Sequence, residues 1–199
     1  MTVFQLLLLG ASAFFAFKIF EHIQTLQEPQ EENNNTNNDE PRSAEAFSPF
    51  DPEALVQKAD EAFEQGDLKR ALALLSEADA KEPQNSETLF KLGFILQQRD
   101  ENDEALTYYK KALEVDKEKE YIHNAMASIY KINGEYTSAK MHLNASLAID
   151  DENAITYYNY GNLLVDMEHK DEAKDMYKKA LEINPDFNEA KEELERLEE

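Results

Sequence analysis

Four histidines, His22, His123, His142 and His169, are the side chains of this sequence best suited to moving a proton near neutral pH. Their positions are scattered rather than convergent. His22 flanks an apolar N-terminal run, His123 and His142 fall on two different predicted helices, and His169 falls in a turn. The acid pairs Glu31-Glu32 and Asp150-Asp151 offer carboxylates for general acid and base work, but in a chain this acidic they read as solvated charge. Asp100, Asn102 and Glu104 alternate as calcium ligands do, without the glycine and the closing glutamate that a calcium loop needs. Cysteine is absent, which removes disulfides, thiolate metal sites and a thiol nucleophile together. There is no glycine-rich phosphate loop, no Gly-x-Ser-x-Gly elbow and no His-Glu-x-x-His. The expectation is a protein that is not an enzyme, with no catalytic residue, metal or cofactor.

The charge balance narrows the partners. Among 199 residues there are 20 Lys and Arg against 42 Asp and Glu, a formal net charge of −22. Phosphate binding needs a basic stripe, so nucleic acid is excluded as a primary partner. Docking on anionic lipid through a polybasic patch is excluded for the same reason.

Residues 1–26 read as an N-terminal membrane anchor. Positions 1–17 carry no charged side chain, and Val3 through Phe17 are mostly Leu, Ala and Phe before Lys18 interrupts. A spanning helix needs ~20 mostly apolar residues, and Lys18 sits close enough to one end for its ammonium to reach the interface. Ala11-Ser12-Ala13 resembles a cleavage site. No basic stretch precedes the apolar run, which favours an uncleaved single span over a signal peptide or a soluble apolar helix. Lys18 and Arg42, the bases nearest the span, both follow it, so the positive-inside rule leans the rest of the chain toward the cytoplasm. Residues 27–50, with the run Asn33-Asn34-Asn35-Thr36-Asn37-Asn38 and Pro29, Pro41 and Pro49, read as a disordered, acidic and Asn-rich linker.

From residue 51 the sequence repeats every 34 positions without a gap. Rows starting at Pro52, Ser86, Glu120 and Ala154 align small residues in three columns. The eighth column is Ala59, Gly93, Ala127, Gly161; the twentieth is Ala71, Ala105, Ala139, Ala173; the twenty-seventh is Ala78, Ala112, Ser146, Ala180. The twenty-fourth column is Leu75, Tyr109, Leu143, Tyr177. Each row holds two stretches with apolar residues at helical spacing, at about positions 2–14 and 18–31, separated by Gly66-Asp67, Asp100-Glu101-Asn102, Gly134-Glu135 or Glu168-His169. The period and these columns resemble the tetratricopeptide repeat. The proline expected near position 32 is present as Pro83 and Pro185 but replaced by Lys117 and Asp151. The resemblance implies an all-α, right-handed superhelical solenoid of four helix-turn-helix repeats (52–85, 86–119, 120–153, 154–187), filling 51–187. Residues 188–199, with Ala190, Leu194 and Leu197 as an inner stripe among charges, read as a capping helix.

The same resemblance implies a concave groove lined by the first helices at positions 2, 5, 9, 12 and 13. On this chain it gives Phe90, Phe94, Tyr121, Ile155 and Tyr158 as an apolar wall. It gives Asn124 and Asn162 as amides able to pair with an extended backbone, and Asp60, Glu64 and Glu87 at an acidic end. The implied partner is a peptide or helix of another protein, apolar or aromatic in part and basic toward one end. The family's carboxylate clamp for heat-shock-chaperone tails is absent: Val56 and Asp60 stand at the Lys and Asn positions, and Tyr121 and Ala125 at the two further bases. The leading expectation is a membrane-tethered scaffold or adaptor, in a bacterial inner membrane. Two alternatives stand beside it, a self-associating structural repeat protein and an envelope assembly factor whose repeats hold a client in the periplasm.

Overall fold

The first helix of each hairpin begins every 34 residues, and so does the second. In a computed structural model that describes residues 49–198, the first helices are α1 (Pro52–Glu64), α3 (Ser86–Gln98), α5 (Glu120–Ile132) and α7 (Ala154–Asp166). The second helices are α2 (Leu68–Lys81), α4 (Asn102–Val115), α6 (Tyr136–Ile149) and α8 (Lys170–Ile183). A ninth, α9 (Asn188–Glu198), starts one further period on. Each of the eight hairpin helices begins one residue before the sequence expectation, and α9 begins where it is expected. The membrane anchor at 1–26 and residues 27–48 of the linker lie outside the described residues. Among the described residues, no helix is long and apolar enough to cross a membrane.

Local chemistry sets the ends. Asp51, Asp67, Asn85 and Asn153 each accept a hydrogen bond from a backbone N–H of the helix that follows, the N-cap arrangement. α4 and α8 lack a side-chain cap but carry Asp103, Glu104 and Asp171, Glu172 in their first turns, where the helix dipole favours a negative charge. Within each hairpin the turn needs one residue at positive φ. Gly66 and Gly134 supply it at no steric cost, whereas Asp100 and Glu168 adopt φ of 63° and 64° in the same column. Between hairpins, Asp116, Asp150 and Asn184 each accept from the N–H two residues on. This side-chain turn explains why Lys117 and Asp151 can replace the expected proline.

The small columns sit where the two helices of a hairpin meet. All twelve residues of columns 8, 20 and 27 are buried, and Ala71, Ala105, Ala139 and Ala173 are fully so. Column 24 packs against column 8, and the two covary along the chain. Where column 24 is Leu, column 8 is Ala. Where it is Tyr109 or Tyr177, column 8 is glycine, because a Cβ on Gly93 would lie 2.6 Å from Tyr109 Cε1 and one on Gly161 would likewise strike the Tyr177 ring. The tyrosine hydroxyls donate to Gln97 Oε1 and Asn162 Oδ1, each at 2.8 Å.

Successive hairpins stack through α2 with α3, α4 with α5 and α6 with α7, and α8 packs on α9. The first helices of neighbouring hairpins also touch, α3 with α5 and α5 with α7. α9 buries Ala190 and lays Leu194 and Leu197 on the cluster of Leu164, Ala173 and Tyr177. Its column-8 residue is the exposed Glu195, charge where the other rows have Ala or Gly. The outward face of α9 is thereby polar, as the end of a stack requires.

Candidate binding face on the first helices

The ten residues expected to line a groove all lie on α1, α3, α5 and α7, but they differ sharply in what they present. α3 is the most enclosed first helix, with every residue from Thr88 to Leu96 buried. Phe90 and Phe94 are each 8% exposed. The Phe90 ring meets Tyr121 edge-on at 4.6 Å and lies 5.6 Å from Tyr109, while Phe94 lies 6.2 Å from Phe90 and meets Phe63 edge-on at 5.5 Å. The expected open wall is corrected here. Phe63, Phe94, Phe90 and Tyr121 form a file of rings that ties α1, α3 and α5 together, since aromatic rings at inter-helix distance gain more from edge-to-face contact than from water. Half-buried Phe63 and Tyr121 are the parts of the file that reach the surface. Burial, with Glu87, Glu120 and Asp116 nearby, pushes the Tyr121 phenol up to about 12.

Asn124 is also buried, contrary to the expectation that it meets a ligand. Its Nδ2 donates to Ser146 Oγ at 3.0 Å and to Thr156 Oγ1 at 2.7 Å, and its Oδ1 accepts from Asn159 Nδ2 at 3.3 Å. Ser146 also reaches the Glu120 carbonyl at 3.1 Å, so the network joins α5, α6 and α7. Ser146 is where the small column departs from alanine, and that departure is the sequence signal for the network. Asn162 Oδ1 is likewise engaged, by Tyr177.

The acidic end also divides. Asp60 lies opposite Lys91, whose Nζ is 2.6 and 2.9 Å from its two carboxylate oxygens. Lys91 is 8% exposed, with Glu87 at 3.7 Å as a second, solvent-facing partner. Burial raises the Asp60 pKa, and Lys91 opposes that rise. Asp60 is therefore part of the joint between the first two hairpins rather than free acid. Glu53, Glu64 and Glu87 are exposed.

At the other end, Tyr158 packs against Tyr177 and Phe187, at 5.9 and 5.0 Å between centroids, and only part of its ring remains outward. Ile155 is 45% exposed, and Lys131 pairs with Asp166 at 3.1 Å across α5 and α7. The accessible face thus consists of Phe63, Tyr121, Ile155 and Tyr158 edges, with Glu53, Glu64, Glu87 and Asp166 around them.

The histidines need a correction too. His123 on α5 and His142 on α6 converge, with their Nδ1 atoms 2.9 Å apart. His169 Nδ1 lies 2.9 Å from Glu172 at the start of α8. Among the described residues, no three His, Cys, Asp or Glu side chains gather as a metal site would require.

Two family models, both described as tetratricopeptide repeat, match this chain, one over residues 62–129 and the other over 118–186. Together they span more than half of it. Among curated proteins none matches significantly. Solved structures do. A tetratricopeptide repeat protein from Parabacteroides merdae is 29% identical, with a TM-score of 0.62 over 74% of this chain and 60% of that one. Pseudomonas aeruginosa PilF is 21% identical, with a TM-score of 0.68 over 73% of this chain and 67% of PilF. YrrB, described as a TPR protein with an unusual peptide-binding site, is 22% identical, with a TM-score of 0.60 over 70% of this chain and 72% of YrrB.

Proposed function

The chain belongs to the tetratricopeptide repeat family, and from that premise we propose that it is a non-enzymatic scaffold that holds a segment of a partner protein against its first helices while an N-terminal helix tethers it to a membrane. Members of the family are generally scaffolds for protein–protein contact. The observation that carries the reading is the pairing of apolar edges with exposed acid on one face. Phe63, Tyr121 and Ile155 expose apolar surface there, and Glu53, Glu64 and Glu87 are exposed beside them. A ligand suited to that face carries an aromatic or aliphatic anchor and Lys or Arg toward the α1 end, where opposite charge speeds encounter and sets direction. The peptide-binding site named for YrrB is consistent with such a use of this fold.

The tether rests on the uncharged, mostly apolar run within residues 1–26. We place the protein in a bacterial inner membrane with the repeats on the cytoplasmic side, following Lys18 and Arg42.

The test uses the full-length chain and two synthetic probes, one with Phe flanked by Lys and one with Phe flanked by Glu. The Lys probe should bind more tightly, lose affinity with added salt, and lose at least threefold with Glu64→Gln and Glu87→Gln combined. Equal binding of both probes, or indifference to the double variant, overturns the groove chemistry. Retention of the chain in membranes through an alkaline carbonate wash tests the tether, and release into the supernatant refutes it.

A further inference from the structure

We propose that His123 and His142 form an acid-sensitive joint in the third hairpin, which loosens α5 from α6 when both imidazoles take up a proton. The hydrogen bond between the two Nδ1 atoms, 2.9 Å long, exists only while one ring supplies an N–H and the other a bare lone pair. A proton on both removes the acceptor and leaves two cations face to face. His142 is 8% exposed and stacks on Tyr130, with centroids 5.3 Å apart and planes 12° from parallel. It cannot swing to water without leaving that stack.

The surroundings offer no relief. The charged groups acting on His142 are His123 and Lys110 of α4, both of which are cationic when protonated. Burial holds the His123 pKa down as well. The apolar cluster beside the pair comprises Ala127, Ala139, Leu143 and Leu163, with Tyr130, Tyr136 and Tyr160 packed against it from α5, α6 and α7.

The joint is placed to be felt on both sides. Tyr130 packs against the cluster of the second hairpin as well as that of the third. Asn124, the neighbour of His123, is the hub of the network to Ser146 and Thr156. Separating α5 from α6 therefore disturbs the contact with α4 and the contact with α7 together.

The sign follows from the direction of the shifts. Burial, then His123 and Lys110, hold the His142 pKa down to about 4, against 6.5 for the unfolded chain. The unfolded chain takes up its proton first, so the stabilisation is whole above pH 6.5 and is lost as pH falls from there toward 4. From pH 7 to pH 5, His142 alone lowers the folding constant roughly 20-fold.

The experiment is carried out on the full-length chain. NMR titration of the imidazoles should show His142 titrating near 4 and His123 shifted down from its ordinary value, with complementary Nδ1 protonation of the two rings at neutral pH. Urea midpoints for wild type should fall between pH 7 and 5, and His142→Phe and His123→Gln should each flatten that fall. Hydrogen exchange at pH 5 should open α5 and α6 before α1, α2 and α8. His142 titrating near 6.5, an unchanged slope in His142→Phe, or a uniform loss of protection overturns the proposal. Should His142→Phe fail to fold, the wild-type titration decides alone. None of these readouts needs a ligand, so the result is separate from the fate of the groove reading.

Discussion

Replacing Gly93 by alanine sets two effects of known size against each other. An alanine in a helix interior is worth about 1 kcal/mol over glycine, and on propensity alone Gly93→Ala should stabilise α3. The new Cβ, however, would lie 2.6 and 2.7 Å from Tyr109 Cε1 and Cδ1 and 3.1 Å from the Ala105 carbonyl oxygen. Tyr109 is fully buried, lies 5.6 Å from the Phe90 ring and donates to Gln97. To make room, either the ring leaves its hydrogen bond, at ~1 kcal/mol, or α3 and α4 move apart, at ~1–3 kcal/mol for overpacking. Set against the ~1 kcal/mol gained in propensity, these costs leave an expected net loss of up to roughly 2 kcal/mol. The chain contains its own control, since the first and third hairpins pair Ala59 with Leu75 and Ala127 with Leu143. Tyr109→Leu alone should also destabilise, by leaving a void beside Gly93. The double variant should recover at least 1 kcal/mol over the sum of the singles, which is the coupling expected of residues in direct contact. Urea unfolding followed by far-UV circular dichroism measures all four proteins, and hydrogen exchange at α3 and α4 localises the change. Gly93→Ala exceeding wild type, or two singles that simply add, would refute the reasoning.

Asp60→Asn should cost roughly 3 kcal/mol by stranding buried Lys91, at the low end for a broken buried pair because Glu87 remains nearby. Asp60→Leu with Lys91→Met should be markedly milder, and equal damage from both in urea melts would contradict the pairing. Glu168→Gly should raise stability by about 0.5–1 kcal/mol, since φ of 64° strains a glutamate and suits glycine; a lowered melting temperature would count against it. Asn124→Ala should lose about 1–3 kcal/mol by removing the hub between Ser146 and Thr156. A double-mutant cycle with Thr156→Val that shows no coupling would sink that account.

The hairpins were legible in the sequence because their contacts are local and repeated. Small residues must recur wherever two helices touch within a hairpin, and four rows make the recurrence visible. Boundaries were off by one because the caps Asp67 and Asn153 lie one residue nearer the preceding turn than the spacing suggests, so Leu68 and Ala154 already open their helices. The face was less legible because exposure is decided by neighbours in other rows. Asp60 and Lys91 lie 31 positions apart and meet only once two hairpins are stacked. Phe90 is covered by Tyr121 from the next row. The histidine pair had a signal that spacing along the chain hides, since His123 precedes the Asn133-Gly134 turn on α5 and His142 follows it on α6, and the antiparallel hairpin folds the two together.

The hairpins alternate between two kinds. The first and third carry Ala in column 8, Leu in column 24 and glycine at the turn; the second and fourth carry glycine, tyrosine and a charged turn residue. Every seam in the stack therefore joins unlike units, and no seam joins like to like. A version of this chain shortened or lengthened by 68 residues keeps only seams it already has. One altered by 34 within the stack must form a like-to-like junction for which it holds no template.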